Sequence, residues 1–406
     1  MSDNLQEGIY FRHGERPGNC WRLLMLNIAD NTTPDAARES IEKVWAMLTR
    51  LRQGIVGDLN PTQPRPGDPS PVTVPSGDLT CLIGYGARLF NVAAHALPLI
   101  RNAPRPPLLT AFRTTSSNTP FRSLNWEPLE DRQHQDTDIV LQFIANTELA
   151  VNRAIVEVAK LISEQSLPLR IVNFFTGFNR DDRRSWIDFH DGVNTMTPEQ
   201  RQLVIELTDN TDTPWLLGGT FLAFLRCAVD LSVWRGLPRE QQEFMVGRDK
   251  LTGCPLVLVT TLADGTQVAE KMAGCPMTGT IPTPPPQGYV DPVTPADPLL
   301  RSSHIHRANV NRTADPREHS ANRVYRQGYE FLECRADGRL ALGLNFVSFQ
   351  FDPGRVADIL NRLPFWLGAV NFGGDPPSAR ILSLLAGGYY AVPPKAEPFP
   401  GAVLFE

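Results

Sequence analysis

The stretch CWRLLMLNIADNTTPDAARESIEKVWAMLTRL, residues 20–51, changes its hydrophobic period partway along. Residues 20–28 form an apolar run of strand length. After Thr33-Pro34 the apolar positions Ala37, Ile41, Val44, Trp45, Leu48 and Leu51 recur at helical spacing. A proline just inside the first turn suits a helix start, because the amide it lacks has no partner there. The segment therefore reads as a strand followed by a helix with one buried face.

The same reading extends outward. LTCLIGYG (79–86) is a short apolar strand ending in glycines, and IVLQFIA (139–145) is another. Thr147 caps a second helix with Val151, Ile155, Val158, Ala159 and Ile162 turned inward, and LRIVNFF (169–175) closes the set. The order β-α-β-β-α-β is the ferredoxin-like arrangement, an antiparallel sheet with its helices on one face. The second half repeats the order, though not the residues. Strands are expected at 218–231, 323–333, 341–350 and 387–394, with helices at 238–247 and from Pro353 to about Leu363. The expected fold is α+β, with two ferredoxin-like domains over 1–210 and 211–406 that meet near TDNTDTPW.

Composition limits the function classes. The 406 residues are 42% hydrophobic and 20% charged, enough for a sizeable core. A net charge of −5 disfavours non-specific nucleic-acid binding. No apolar run is long enough to span a bilayer, and residues 1–18 lack a secretory pattern, so no membrane partner is expected. The six cysteines show no CxxC pair, which disfavours a zinc site, and a chain of this size has no need of disulfides; a reducing cytoplasm is the expected location. Two proline-rich stretches, 61–77 and 281–298, read as extended surface loops.

Chemistry concentrates in SWIDFHDGVNTM (185–196) and SSHIHRANVNR (302–312). The first crowds Asp188, His190 and Asp191 against Trp186, Ile187 and Phe189, a costly arrangement unless the polar groups are used. Asp191-Gly192 is also an ordinary turn signal, and such an aspartate commonly bonds its own backbone. In the second stretch, His304 and His306 alternate; on a strand they would share a face and could share a metal, while one histidine alone could ligate a haem iron. Arg326, in a strand-like run, suits an anion or a carboxylate. Leu344 and Phe346 would share one face of a strand.

Taken in order, LQEGIY (5–10), LTCLIGYGARLF (79–90), the block GGTFLAFLRCAVDL through GCPL (218–256), SHIHRANVNR, RVYRQGY, GLNFVSFQ and GGYYAVPP resemble the dye-decolorizing peroxidases, haem enzymes with two ferredoxin-like domains. The resemblance runs almost end to end. It implies one b-type haem per chain, bound mainly by the C-terminal domain with His304 as the iron ligand; the chain has no CxxCH for covalent attachment. Arg312 matches an arginine near a haem propionate. Asp191 matches the catalytic aspartate of the Gly-x-x-Asp-Gly signature and Arg326 the distal arginine. Leu344 and Phe346 match the apolar lining above the iron. The first glycine of the signature is replaced by Asp188, a departure that bears on the local backbone, since glycine reaches angles that other residues rarely take.

The implied activity is reduction of hydrogen peroxide with oxidation of small dye-like or phenolic substrates, through a high-valent iron–oxo intermediate. Asp191 would move the peroxide proton, and Arg326 would stabilise the charge on the departing oxygen. The reference pKa of aspartate is about 3.9, so an acidic pH optimum is expected for some substrates. Asp358 or Asp375 would accept from the second nitrogen of His304. Trp186, Trp366, Tyr389 and Tyr390 either relay electrons or pack the core. The alternative reading is a haem-handling protein that stores, senses or strips haem; it would keep His304 without needing both Asp191 and Arg326. A cofactor-free binding scaffold is the third class. Self-association is left open by the sequence.

Overall fold

The computed structural model describes residues 4–10, 18–59, 65–68, 72–101, 103–107, 109, 124, 126–127, 133, 136–193, 196–209, 212–277, 297–309, 315–318, 321–335, 337–361 and 379–406. The residues at the expected domain junction, 210–211, and most of the 281–298 loop lie outside these.

The opening stretch folds as its period change predicts, into β1 (Cys20–Ile28) and α1 (Pro34–Arg52). The Thr33 side chain caps α1 by accepting from the Ala36 amide at 3.2 Å. Next come β2 (Thr80–Gly86), β3 (Ile139–Ala145), α2 (Glu148–Glu164, capped by Thr147) and β4 (Leu169–Phe178). β1 lies between β3 and β4, with Leu24 opposite Leu141 on one side and Phe174 on the other, and β3 carries β2 on its far edge. α3 (Pro198–Ile205) ends the first half, and the second contributes β5 (Thr220–Val229), α4 (Leu231–Arg235), α5 (Arg239–Val246), β6 (Leu256–Thr261), β7 (Gln267–Lys271), α6 (His304–Ala308), β8 (Tyr325–Arg326), β9 (Tyr329–Cys334), β10 (Leu340–Gln350), α7 (Gly354–Asn361) and β11 (Leu382–Val392).

Hydrophobic pattern does not reveal how the strands of the two halves join. β5 pairs antiparallel with both β10 and β11; β11 reaches β2 through Tyr390 opposite Gly86; β4 reaches β9 through Phe178 opposite Glu330. Eight strands thus close into a ring in the order β5-β11-β2-β3-β1-β4-β9-β10, with β8 attached to β10. Closure removes the exposed edges that two separate sheets would present.

A ring of about eight strands encloses a space that side chains can fill. Here Trp21, Leu23, Met25, Phe175, Phe224, Tyr329, Val347 and Tyr390 fill it. The alternate residues face outward. On β1–β4 they pack under α1 and α2. On β5 and β11 they form a second outer core with Trp234 of α4, Val246 of α5, Val356 and Leu360 of α7, and Ile187 and Phe189 of the Asp-Gly loop. That second outer face carries the candidate residues.

Two expectations are corrected. The strand expected over 323–333 is broken at Gln327-Gly328 into β8 and β9. Cys254 and Cys275, expected as thiols, form a disulfide 21 residues apart in sequence. The β6–β7 hairpin lies between them and folds back on itself, so residues distant in sequence meet at its base. Among the described residues, no helix is long and apolar enough to cross a membrane.

Candidate functional site

The Asp-Gly loop is a tight excursion after β4. Ser185 N–H donates to Phe189 O (2.9 Å), Asp188 N–H to Ser185 O (2.8 Å) and Asp191 N–H to Arg183 O (3.0 Å). Asp188, at the departure position, sits at φ +68°, in the left-handed region that aspartate tolerates better than most residues. The loop is tied to the second half of the chain. Arg184 donates to Asp188 O, Lys250 O and Leu251 O at 2.7–2.9 Å, and Trp234 Nε1–H donates to Ile187 O at 3.2 Å. Lys250 lies 3.6 Å from the Asp188 carboxylate.

Asp191 is exposed, and its Oδ1 accepts from the Gly192 amide at 2.7 Å. His190 turns inward against Gly253, and burial pushes its imidazole below the usual histidine range. It is a packed neighbour of the loop.

His304 opens α6, so the strand geometry that would pair it with His306 does not arise. Two residues of helix turn by roughly 200°, which separates the two imidazoles around the axis. The approach of this segment depends on Gly247, the left-handed residue that ends α5 (φ +88°). A Cβ there would lie 2.5 Å from Ser303 Oγ and 2.7 Å from Ile305 Cγ1, on both sides of His304. Burial holds the His304 imidazole well below the ordinary histidine range, and the charges of Arg326 and Arg248 lower it further. Arg248 is itself buried, donates to Gly253 O at 2.9 Å, and its charge also reaches His190. It links the Asp-Gly loop to α6.

Register places the remaining candidates on one outer face. Arg326 is opposite Ser348, and Leu344 is opposite Glu330. Because side chains alternate along a strand, Leu344, Phe346 and Ser348 share a face, so Arg326 and Glu330 share it too. Leu344 and Phe346 are half-buried there. The sequence reading missed Glu330. It is only 8% exposed, accepts from the Trp186 amide, and feels the Asp191 charge. Burial first and Asp191 second push its carboxyl up to about 8. In the sequence it looks like any solvent-facing glutamate of an alternating strand, and only the folded loop covers it. Gly247 and Arg248 were also missed; the helix before them, REQQEFMV, carries no sign of what packs on its end.

Arg312, Trp366 and Asp375 lie outside the described residues. Asp358 lies on α7. Tyr389 and Tyr390 are core residues whose hydroxyls meet Pro353 O and Thr137 Oγ1, each at 3.1 Å. Trp186 is part-exposed, with the Arg180 guanidinium stacked 4.6 Å above its ring.

Residues 182–397, more than half of the chain, match the profile of the family described as Dyp-type peroxidase, C-terminal. The fold is that of solved Dyp-type peroxidases. The structure from Cellulomonas bogoriensis aligns over 99% of this chain and 97% of its own, with TM-score 0.65 and 20% identity. Ferric DtpA from Streptomyces lividans aligns over 98% and 97%, with TM-score 0.66 and 18% identity. A DypB variant from Rhodococcus jostii RHA1 in complex with heme aligns over 93% and 94%, with TM-score 0.56 and 16% identity. Among curated proteins, the deferrochelatases of Shigella flexneri serotype 5b and Escherichia coli K12 are 27% and 26% identical over 226 residues, 53% of this chain. The match spans about half of their length, 47%. The class is thus a mixed helix–sheet protein built on an antiparallel sheet, with the Dyp-type architecture. The chain belongs to the Dyp-type peroxidase family.

Proposed function

We propose that the protein is a haem-dependent peroxidase that reduces hydrogen peroxide and oxidises small organic substrates, with one haem b per chain. The observation that carries this reading is the convergence on one outer face: a half-buried His304, held neutral within reach of the Arg326 charge, and Asp191 within reach of Glu330 on the face that holds Leu344 and Phe346.

These residues fit a haem on their own chemistry. A ligating histidine must be neutral, and His304 is kept so by burial and two guanidinium charges. Gly247 leaves the space in which its flanking residues sit. His304 would hold the iron, with Leu344 and Phe346 as apolar lining. The group supplies redox-active iron when bound.

Asp191 takes the proton of the attacking peroxide oxygen and returns it to the departing one. Arg326 stabilises the negative charge on that departing oxygen; such preorganised charge is commonly the larger effect. Leu344 and Phe346 exclude bulk water and large substrates. We further read strands β1–β4 and β5, β9, β10 and β11 as two ferredoxin-like halves over 1–210 and 211–406. In each, the first strand pairs with the third and the last, which supports that reading.

Haem handling without turnover is the second reading, favoured by the deferrochelatase names among the relatives. Asp191 and Arg326 together support the peroxidase, because neither is needed merely to hold haem. The test is reconstitution with haem, a Soret band, and stopped-flow mixing with hydrogen peroxide. Asp191→Asn and Arg326→Leu should each slow peroxide cleavage at least about a hundredfold while haem stays bound. The double variant should lose less than the product of the two, since both serve one transition state. Wild-type rates in both single variants would refute the assignment, and a wild-type holoprotein inert to peroxide would refute the peroxidase reading.

A further inference from the structure

Glu330 is a buried carboxyl that none of the chemistry above uses. It stands on β9 opposite Leu344 of β10 and Phe178 of β4, on the sheet face that carries Arg326 and Phe346. The amide of Trp186, in the loop that holds Asp191, donates to it. The charged groups facing it are Asp191 and Asp182 from the loop and Arg180 at the end of β4. Arg180 is engaged elsewhere: its Nε–H donates to Asp182 at 2.9 Å and its guanidinium covers the Trp186 ring. Arg180 thus offers Glu330 a charge already shared with Asp182, and its lowering effect ranks below burial and the neighbouring Asp191 carboxylate, which raise the Glu330 carboxyl.

We propose that Glu330 is a positioning residue of the distal site: uncharged, it anchors the Asp191 loop to the sheet, and its ionisation sets the upper pH limit of peroxide cleavage. The proposal rests on the peroxidase reading. Two neighbouring carboxyls in unlike surroundings divide the labour, the exposed one charged and the buried one neutral. The Asp191 charge raises the Glu330 carboxyl, so ionising Glu330 sets two like charges side by side at the loop that holds Asp191. A second negative charge there opposes the one that develops on the departing oxygen, so cleavage slows as Glu330 ionises, through about pH 8. The proton and electron balance of cleavage is unchanged, since Glu330 exchanges its proton only with solvent.

Two measurements on the full chain test this. In infrared titration of the haem-free protein with ¹³C-labelled glutamate, the wild type should show a protonated glutamate carboxyl at pH 7 that disappears through about pH 8. Glu330→Gln, which keeps an acceptor for the Trp186 amide, should lack it. In the haem-loaded protein, the rate of peroxide cleavage should fall several-fold, up to about tenfold for a coupling of one pKa unit, between pH 6.5 and 9 (chosen to bracket that midpoint, roughly one unit or more each side). That fall should vanish in Glu330→Gln. A wild type with no protonated glutamate at pH 7 overturns the proposal whether or not the variant folds. Active wild type and variant with the same alkaline fall overturn it and leave the peroxidase reading standing. A wild-type holoprotein inert to peroxide overturns both.

Discussion

Gly247→Ala is expected to act on a residue it does not touch. Gly247 ends α5 at φ +88°, a conformation that costs an alanine about 1–2 kcal/mol. Its added Cβ would lie 2.5 Å from Ser303 Oγ and 2.7 Å from Ile305 Cγ1, where ordinary contact begins near 3.4 Å. The Ser303–Ile305 segment must therefore recede by something under an ångström, at a typical overpacking cost of about 1–3 kcal/mol. The sum is roughly 2–5 kcal/mol of stability. His304 lies between the two displaced residues, so the same movement should weaken haem binding by about ten- to a hundredfold, the usual effect of disturbing what orients a metal ligand. Gly265→Ala supplies the control. Gly265 has a similar φ of +85° but meets nothing within 4 Å, so it should cost only the backbone term of about 1–2 kcal/mol and leave haem affinity alone. Chemical denaturation gives the stabilities and haem titration the affinities. Equal haem affinities in the two variants would refute the claim that Gly247 positions His304.

Other perturbations separate neighbouring assignments. His304→Ala should abolish or grossly disturb the Soret spectrum of the reconstituted protein, and His306→Ala should not; the reverse pattern would move the ligand to His306. Phe346→Ala should raise the rate with a bulky organic peroxide relative to hydrogen peroxide, read in stopped flow, and an unchanged ratio would remove Phe346 from the lining. Cys275→Ser opens the Cys254–Cys275 loop and should cost about 2–4 kcal/mol in non-reducing denaturation, with reductant bringing the wild type down to the same level.

Local elements could be read from the sequence because their signals are local. The period change at Thr33-Pro34 and the Thr147 cap lie within a few residues of the structure they specify, and β1, α1 and α2 follow them. Ring closure could not be read, since its junctions are a few backbone pairs between distant edges, such as Phe178 with Glu330 and Tyr390 with Gly86. The His304–Ile305–His306 alternation was misleading for a related reason. Three residues match a strand or a helix equally, and the packing of Ser303 and Ile305 on Gly247 accompanies the helical form. The disulfide was hidden by the hairpin between its cysteines, and it weighs against the argument that placed the chain in a reducing compartment. Glu330 was hidden because a two-period pattern tells which face a residue takes but not what later covers that face.

Asp188 takes the left-handed backbone angle that a glycine at its position would be expected to take. The signature glycine suggests a backbone angle that glycine alone adopts freely, and Asp188 sits at φ +68°, inside that range. The conformation costs an aspartate less than most residues, and the loop supplies contacts to offset it. Arg184 donates to the Asp188 carbonyl at 2.7 Å, and Lys250 faces its carboxylate at 3.6 Å while lying over the Phe189 and Trp234 rings. A glycine could accept the first contact but not the second. The lysine comes from the 250–251 turn that Arg184 also binds, so the substituted side chain adds a tie between the Asp191 loop and the part of the chain that carries Arg248. The loop that carries Asp191 is therefore held from two sides: by Glu330 through the Trp186 amide, and by Lys250 and Arg184 through residue 188.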